Sequence, residues 1–272
     1  MEFRTPVDIP HPLFQLEPQE RMLCVGSCFA DRMGSLLHDD AFLTTVNPYG
    51  VMYNPASILH TVRRVLQEQP QLCPDTVLLT MGTNHVYRLK ENGEIVDNCQ
   101  KRPAALFREE ALGIGECVHC LRQTAALLTE RNPRVNILLT VSPIRYAKYG
   151  YHGSQLSKAT LLLAAECVAG GNISYFPAYE IVQDELRDYR FYAEDMLHPS
   201  PQAVTYIYER FAETYFSDAT HAFLREWRPL RAALAHRPLH PESEEYRQFL
   251  DKTMLKIAVL SEKYPNFALP NK

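Results

Sequence analysis

The sequence predicts an α/β protein: a three-layer α/β/α sandwich around a mostly parallel sheet, continued by a C-terminal helical appendage. Three observations predict it. Short continuous apolar runs, such as Met22-Leu23-Cys24-Val25 and Val135 to Val141, alternate with segments of helical period. Glycine or proline punctuates the chain after these runs, as expected where strands feed turns. After Pro199 the strand-like runs cease and only helical periodicity remains.

Residues 1–20, with Pro6, Pro10, Pro12 and Pro18, read as an extended lead-in. The run at 22–25 reads as a buried strand, turned at Gly26 into a helix whose Phe29, Met33, Leu36 and Leu37 recur at spacings of three and four. Asn54 and Pro55 supply the cap and first position of a helix reaching Leu66. Thr76-Val77-Leu78-Leu79-Thr80 is a second buried strand ending near Gly82. The segments 85–89 and 94–97 flank Glu91-Asn92-Gly93 and predict a small hairpin. A long helix is expected over 109–130, a strand over 135–141, a helix over 157–169 stopped by Gly170-Gly171, and a short strand over 173–176. Helices over about 201–216, 219–235 and 243–263 complete the chain. The expected division is an α/β catalytic domain over 1–217 and a helical extension over 218–272 packed on it.

Composition narrows the function classes. A formal net charge of −4 and the absence of any long Lys/Arg run give nucleic acid no basic face to bind. No apolar run approaches the ~18 residues of a membrane helix, and the first residues lack a signal-peptide pattern, so a cytoplasmic protein without a membrane span is expected. Seven scattered cysteines do not form a disulfide framework, and Cys117 and Cys120 lie within a helical pattern as structural residues. No metal-ligand set and no Gly-rich phosphate loop is present, so no cofactor and no metal are expected. His60 and His85 read as structural.

The chemistry concentrates at strand ends. Ser27 stands where a buried strand ends and a helix begins, at the sheet edge where open α/β folds bind ligands. It reads as a nucleophile favoured by helix amides, or as a plain N-cap or phosphate-binding turn. Cys28 begins the helix, where thiolates are stabilised, but a side chain one residue past the turn is expected to rotate into the core. In Asp195-Met196-Leu197-His198, a histidine can take a hydroxyl proton while the aspartate fixes its tautomer. Gly50 ends Asn47-Pro48-Tyr49-Gly50 and Asn84 ends Gly82-Thr83-Asn84, so a backbone amide and a side-chain amide are available to an oxyanion, or both residues serve their turns. Arg145, following Ser142-Pro143-Ile144 at the same edge, is a candidate for holding a substrate carboxylate or phosphate, or a surface salt bridge.

The order Gly-Ser, Gly, Gly-x-Asn, Asp-x-x-His resembles the SGNH (GDSL-like) hydrolase superfamily. Gly26-Ser27-Cys28-Phe29-Ala30 spells the signature of the GSCFA family within it. Asn47-Pro48-Tyr49-Gly50 with Tyr53-Asn54-Pro55, the stretch 79–89, Ser142-Pro143-Ile144-Arg145, Ser157-Lys158-Ala159-Thr160, Tyr192 through Pro199 and His236-Arg237-Pro238 are similar to that family too. The resemblance runs from about residue 3 to 265. It implies an SGNH-like, flavodoxin-like sandwich in which Ser27 is the nucleophile, His198 the base and Asp195 its orienting acid. It further implies an oxyanion hole of the Ser27 and Gly50 amides and the Asn84 side chain. The expected activity is hydrolysis of carboxylic (acyl) esters through an acyl-Ser27 intermediate, on a small-molecule or carbohydrate-linked ester. The same site serves an acyltransferase when an alcohol replaces water, and a binding module for an acylated or carbohydrate ligand when the nucleophile is not activated. The C-terminal helices are candidates for a homo-oligomer contact.

Overall fold

The computed structural model describes residues 4–97, 99 and 102–267. Five parallel strands form the central sheet: β1 (Arg21–Gly26), β2 (Leu43–Val46), β3 (Thr76–Met81), β7 (Asn136–Val141) and β8 (Ile173–Tyr175), in the order β2-β1-β3-β7-β8. A smaller antiparallel sheet joins β4 (His85–Leu89), β5 (Ile95–Val96) and β6 (Phe107–Ala111) in the order β5-β4-β6. The helices are α1 (Cys28–Asp39), α2 (Pro55–Glu68), α3 (Ile114–Arg131), α4 (Gly150–Val168), a single turn α5 (Ala178–Glu180), α6 (Pro201–Tyr215), α7 (Asp218–Ala235) and α8 (Glu244–Lys263). The sandwich expected from the sequence is the observed architecture.

Strand alternation sends side chains to opposite faces, and two cores follow from it. Met22, Cys24, Leu78 and Leu138 share one core with Phe29, Met33 and Leu37 of α1, Ile207 and Phe211 of α6, Phe223 and Trp227 of α7, and Ile257 and Leu260 of α8. Leu23, Val25, Val77, Leu79, Ile137 and Leu139 share the other with α2, α3 and α4 through residues such as Ile58, Leu121 and Leu161. The C-terminal helices thus continue the first core. Trp227 donates its indole N–H to the Asp39 carbonyl at 2.8 Å, and Arg228 closes on the buried Asp40 carboxylate at 2.6 Å, fastening α7 to the end of α1.

Two boundaries differ from expectation. Residues 107–111 are a strand paired with β4, and the helix expected from 109 begins at Ile114. Phe-Arg-Glu-Glu-Ala offers helix formers locally, but β4 presents an unpaired edge that pairing satisfies. The helix expected from 157 begins at Gly150, through a Gly-Tyr-His-Gly stretch of weak helical propensity that tertiary packing overrides. No helix among the described residues is long and apolar enough to cross a membrane.

Candidate active site

The site is built at the C-terminal edge of the parallel sheet, beginning where β1 turns into α1. Gly26 sits at φ +146°, and a Cβ there would lie 2.2 Å from the Thr80 carbonyl oxygen on the neighbouring strand. Only glycine allows β1 and β3 to approach this closely. Asn47 braces the turn: its Oδ1 accepts from the Gly26 amide at 2.8 Å and its Nδ2 donates to Asp31 at 2.7 Å.

Ser27 is the N-cap of α1 and is fully buried. Its hydroxyl lies 3.1 Å from Thr80 Oγ1 and accepts from the Phe29 amide at 3.3 Å. Cys28, the first residue of the helix, turns the other way. With Arg32, Ser35 and Leu36, at helical spacings of four, seven and eight, it lines a cavity of about 530 Å³ whose far wall carries Ile144, Ala193, Asp195 and His198. This reverses the expected orientation of the two neighbours. The cap geometry draws Ser27 toward β3, so the following side chain falls on the outer face of α1.

The opposite wall is the loop 192–199. Tyr192 and Pro199 bridge its ends, the Ala193 amide donates to the His198 carbonyl at 2.8 Å, and Met196 adopts φ +56° at its tip. Within it Asp195 accepts from the Leu197 and His198 amides through Oδ1, at 2.9 and 3.0 Å, and faces His198 Nδ1 through Oδ2 at 2.5 Å. The His198 amide, the Leu197 amide and the His198 ring together hold the Asp195 carboxyl down at about 2. An ionised carboxylate can only accept, so Nδ1 carries a proton and Nε2 is left as the basic nitrogen of neutral His198.

Arg145 secures this loop from beneath. Its amide donates to the Leu197 carbonyl at 3.0 Å, its guanidinium donates to the Met196 carbonyl at 2.9 Å, and it stacks over Tyr151. It lines not this cavity but a neighbouring one with Gln155, Tyr189 and Tyr192, and its hydrogen bonds here hold the 192–199 loop. Arg145→Ala is expected to lower kcat about tenfold with KM little changed, because the loop loses its anchor while the cavity keeps its walls. Steady-state kinetics on an ester substrate separate the two parameters.

Each of the three expected oxyanion donors is hydrogen-bonded within the protein. The Ser27 amide donates to Thr80, to both the carbonyl oxygen and Oγ1 at 3.0 Å. The Gly50 amide closes a turn onto the Asn47 carbonyl at 2.8 Å. Asn84 Nδ2 donates to the Leu112 carbonyl at 2.7 Å, tying the start of β4 to the loop before α3. None of the three lines the cavity. The free donor direction at a turn depends on backbone orientation, which residue type alone does not specify.

Lys158, in the stretch Ser157-Lys158-Ala159-Thr160, is a further polar group at this sheet edge that no sequence pattern marks. Its side chain is fully buried on α4, and Nζ donates to the Gly82 and Ser142 carbonyls, at 2.7 and 2.6 Å, just past the ends of β3 and β7. Burial lowers it to about 7, against an ordinary 10.5. Between those two values the unfolded chain binds more protons than the folded one, so stability rises as pH climbs from about 7 to 10.5 and levels off below 7, where both states are protonated. In Lys158→Met this part of the pH dependence should flatten by up to about 5 kcal/mol, as denaturant titrations of both proteins across the window would measure. Among the described residues no cluster of His, Cys, Asp and Glu is able to hold a metal ion.

Comparison with known proteins places the chain. The sequence profile of the GSCFA family matches residues 21–74 and 71–211, and that of the GSCFA domain protein C-terminal domain matches 227–272. This chain belongs to the GSCFA family. No curated protein matches it. Similar solved structures include a carbohydrate esterase family 3 protein from Talaromyces cellulolyticus, 10% identical, covering 71% of this chain and 95% of its own, with TM-score 0.43. A catalytic mutant of an acetylxylan esterase from Geobacillus stearothermophilus is 14% identical, covering 75% and 98%, with TM-score 0.47. An α/β hydrolase from the metagenome of Lake Arreo, Spain, is 13% identical, covering 76% and 97%, with TM-score 0.47. In this GSCFA chain the family signature, Gly26 to Ala30, forms the β1–α1 turn and the first residues on the cavity wall.

Proposed function

We infer that this GSCFA protein transfers acyl groups from ester substrates, to water as a hydrolase or to an alcohol as an acyltransferase. The observation that carries the reading is the Asp195–His198 pair, 2.5 Å apart, on the wall of a cavity whose other wall is the N-terminal turn of α1. A carboxylate that fixes Nδ1–H leaves Nε2 to take a proton from a nucleophile and deliver it to a leaving alcohol. The cavity, lined mostly by apolar groups and by Arg32, suits a short acyl chain beside a polar or anionic group. Short-chain nitrophenyl esters assayed with the wild type and with His198→Ala test the reading; equal turnover by the two proteins overturns it.

A second reading is favoured by one observation. All three donors expected to form the oxyanion hole are paired within the protein, as in a fold that keeps its pocket only to bind an acylated or carbohydrate ligand. Under that reading an activated ester leaves no adduct on the cavity wall.

A further inference from the structure

Resting on the acyl-transfer reading, we propose that the nucleophile of this site is the Cys28 thiol, with Ser27 serving as the structural cap that presents it. Ser27 has no exposure, and its hydroxyl is engaged by Thr80 on one side and the Phe29 amide on the other. Using it would require breaking the cap of the helix that forms the cavity wall. Cys28 shares that wall with Arg32 and Ser35, across the cavity from Asp195 and His198. Of the two neighbours at the turn, only Cys28 therefore shares a cavity with the base and its orienting carboxylate.

The surroundings of the thiol define how it would react. Its own backbone amide, at the first position of α1, and the cations Arg32 and Lys158 favour the thiolate. Burial foremost, and the Asp31 carboxylate after it, oppose them and push the thiol up to about 11. At neutral pH Cys28 is thus a thiol awaiting a base, not half of a standing thiolate–imidazolium pair. His198 Nε2 takes the S–H proton as Sγ bonds to the ester carbonyl carbon. The tetrahedral intermediate collapses, the C–O bond to the alcohol breaks, and His198 returns the proton to the departing oxygen. Water, deprotonated by His198, then attacks the thioester carbonyl; the C–S bond breaks and the proton ends on Sγ. No oxidant or cofactor enters.

The test uses the full chain and p-nitrophenyl acetate. Cys28→Ala should lose at least a hundredfold in turnover, whereas Ser27→Ala should keep a tenth or more despite its weakened cap. Wild type quenched during turnover should carry the acetyl group on Cys28, removable by hydroxylamine at neutral pH as thioesters are. Turnover retained in Cys28→Ala, or an acetyl group that maps to Ser27 and resists neutral hydroxylamine, overturns the proposal. Should Ser27→Ala not fold, the wild-type adduct and Cys28→Ala decide. The two readings fail separately: turnover lost in His198→Ala but kept in Cys28→Ala removes only the sulfur nucleophile, while turnover indifferent to His198 removes the acyl-transfer site itself.

Discussion

Replacing His198 with alanine should lower kcat/KM for ester turnover by about a thousandfold, the largest effect expected of any exposed side chain in this protein. No other imidazole among the described residues lines the cavity, and the Asp195 carboxylate cannot substitute as a base, because the amides of residues 197 and 198 still hold it below the ordinary carboxylate range when the ring is gone. Asp195→Asn should cost about a hundredfold, because an amide can present N–H to Nδ1 and stabilise the tautomer with its proton on Nε2. The low value also fixes part of the pH profile. Asp195 is ionised at every pH above about 2, so the acid limb of a rate profile should show no inflection that disappears in Asp195→Asn. Stopped-flow or steady-state profiles of the three proteins check both statements.

Gly26→Ala should be the most damaging single substitution for folding. Gly26 combines φ +146° with a position where Cβ would stand 2.2 Å from the Thr80 carbonyl and 2.5 Å from Thr80 Oγ1. Neither neighbour is a flexible side-chain end. Thr80 is fully buried at the middle of the sheet and holds the Ser27 amide. Relief requires parting β1 from β3 at their paired residues Gly26 and Thr80. Strained backbone and overpacking together cost roughly 4 kcal/mol, or about 10 °C in melting temperature, and poor soluble yield is expected. Gly50→Ala is the contrast: φ is +90°, but nothing lies within 4 Å of the added carbon, so only backbone strain of about 1 kcal/mol remains. Thermal melts of the two variants beside the wild type measure the difference.

The central sheet was legible because buried parallel strands leave continuous apolar runs, and Leu23, Leu78 and Leu138 sit in three of them. β6 was not, since its Arg-Glu-Glu centre carries no strand pattern and its pairing with β4 is a tertiary fact. The Asp195-x-x-His198 pair was legible for a physical reason: three residues suffice for a carboxylate to cap the turn and meet the ring, so the spacing itself encodes the contact. Which of Ser27 and Cys28 faces the cavity was less accessible. Adjacent residues point apart, and the outcome depends on the Gly26 turn and on the capping bond. A signal did exist: Cys28 lies in helical register with Arg32 and Ser35, the polar face of α1, whereas Phe29, Met33 and Leu37 mark the buried one. The amide directions of Gly50 and Asn84 left no comparable trace, because the same turn residues serve whether the donor points to a ligand or to Asn47 and Leu112.

The claim that this cavity is a site of covalent acyl transfer is tested most directly by peptide mass spectrometry of the protein quenched during turnover of an activated ester. The tryptic peptide spanning residues 22–32 contains Ser27 and Cys28 together with Cys24, which is fully buried. An acyl group on this peptide, accumulating in the wild type and absent in His198→Ala, is the predicted result. Sustained ester turnover with the acyl group elsewhere in the chain, or an adduct that forms equally without His198, would contradict it.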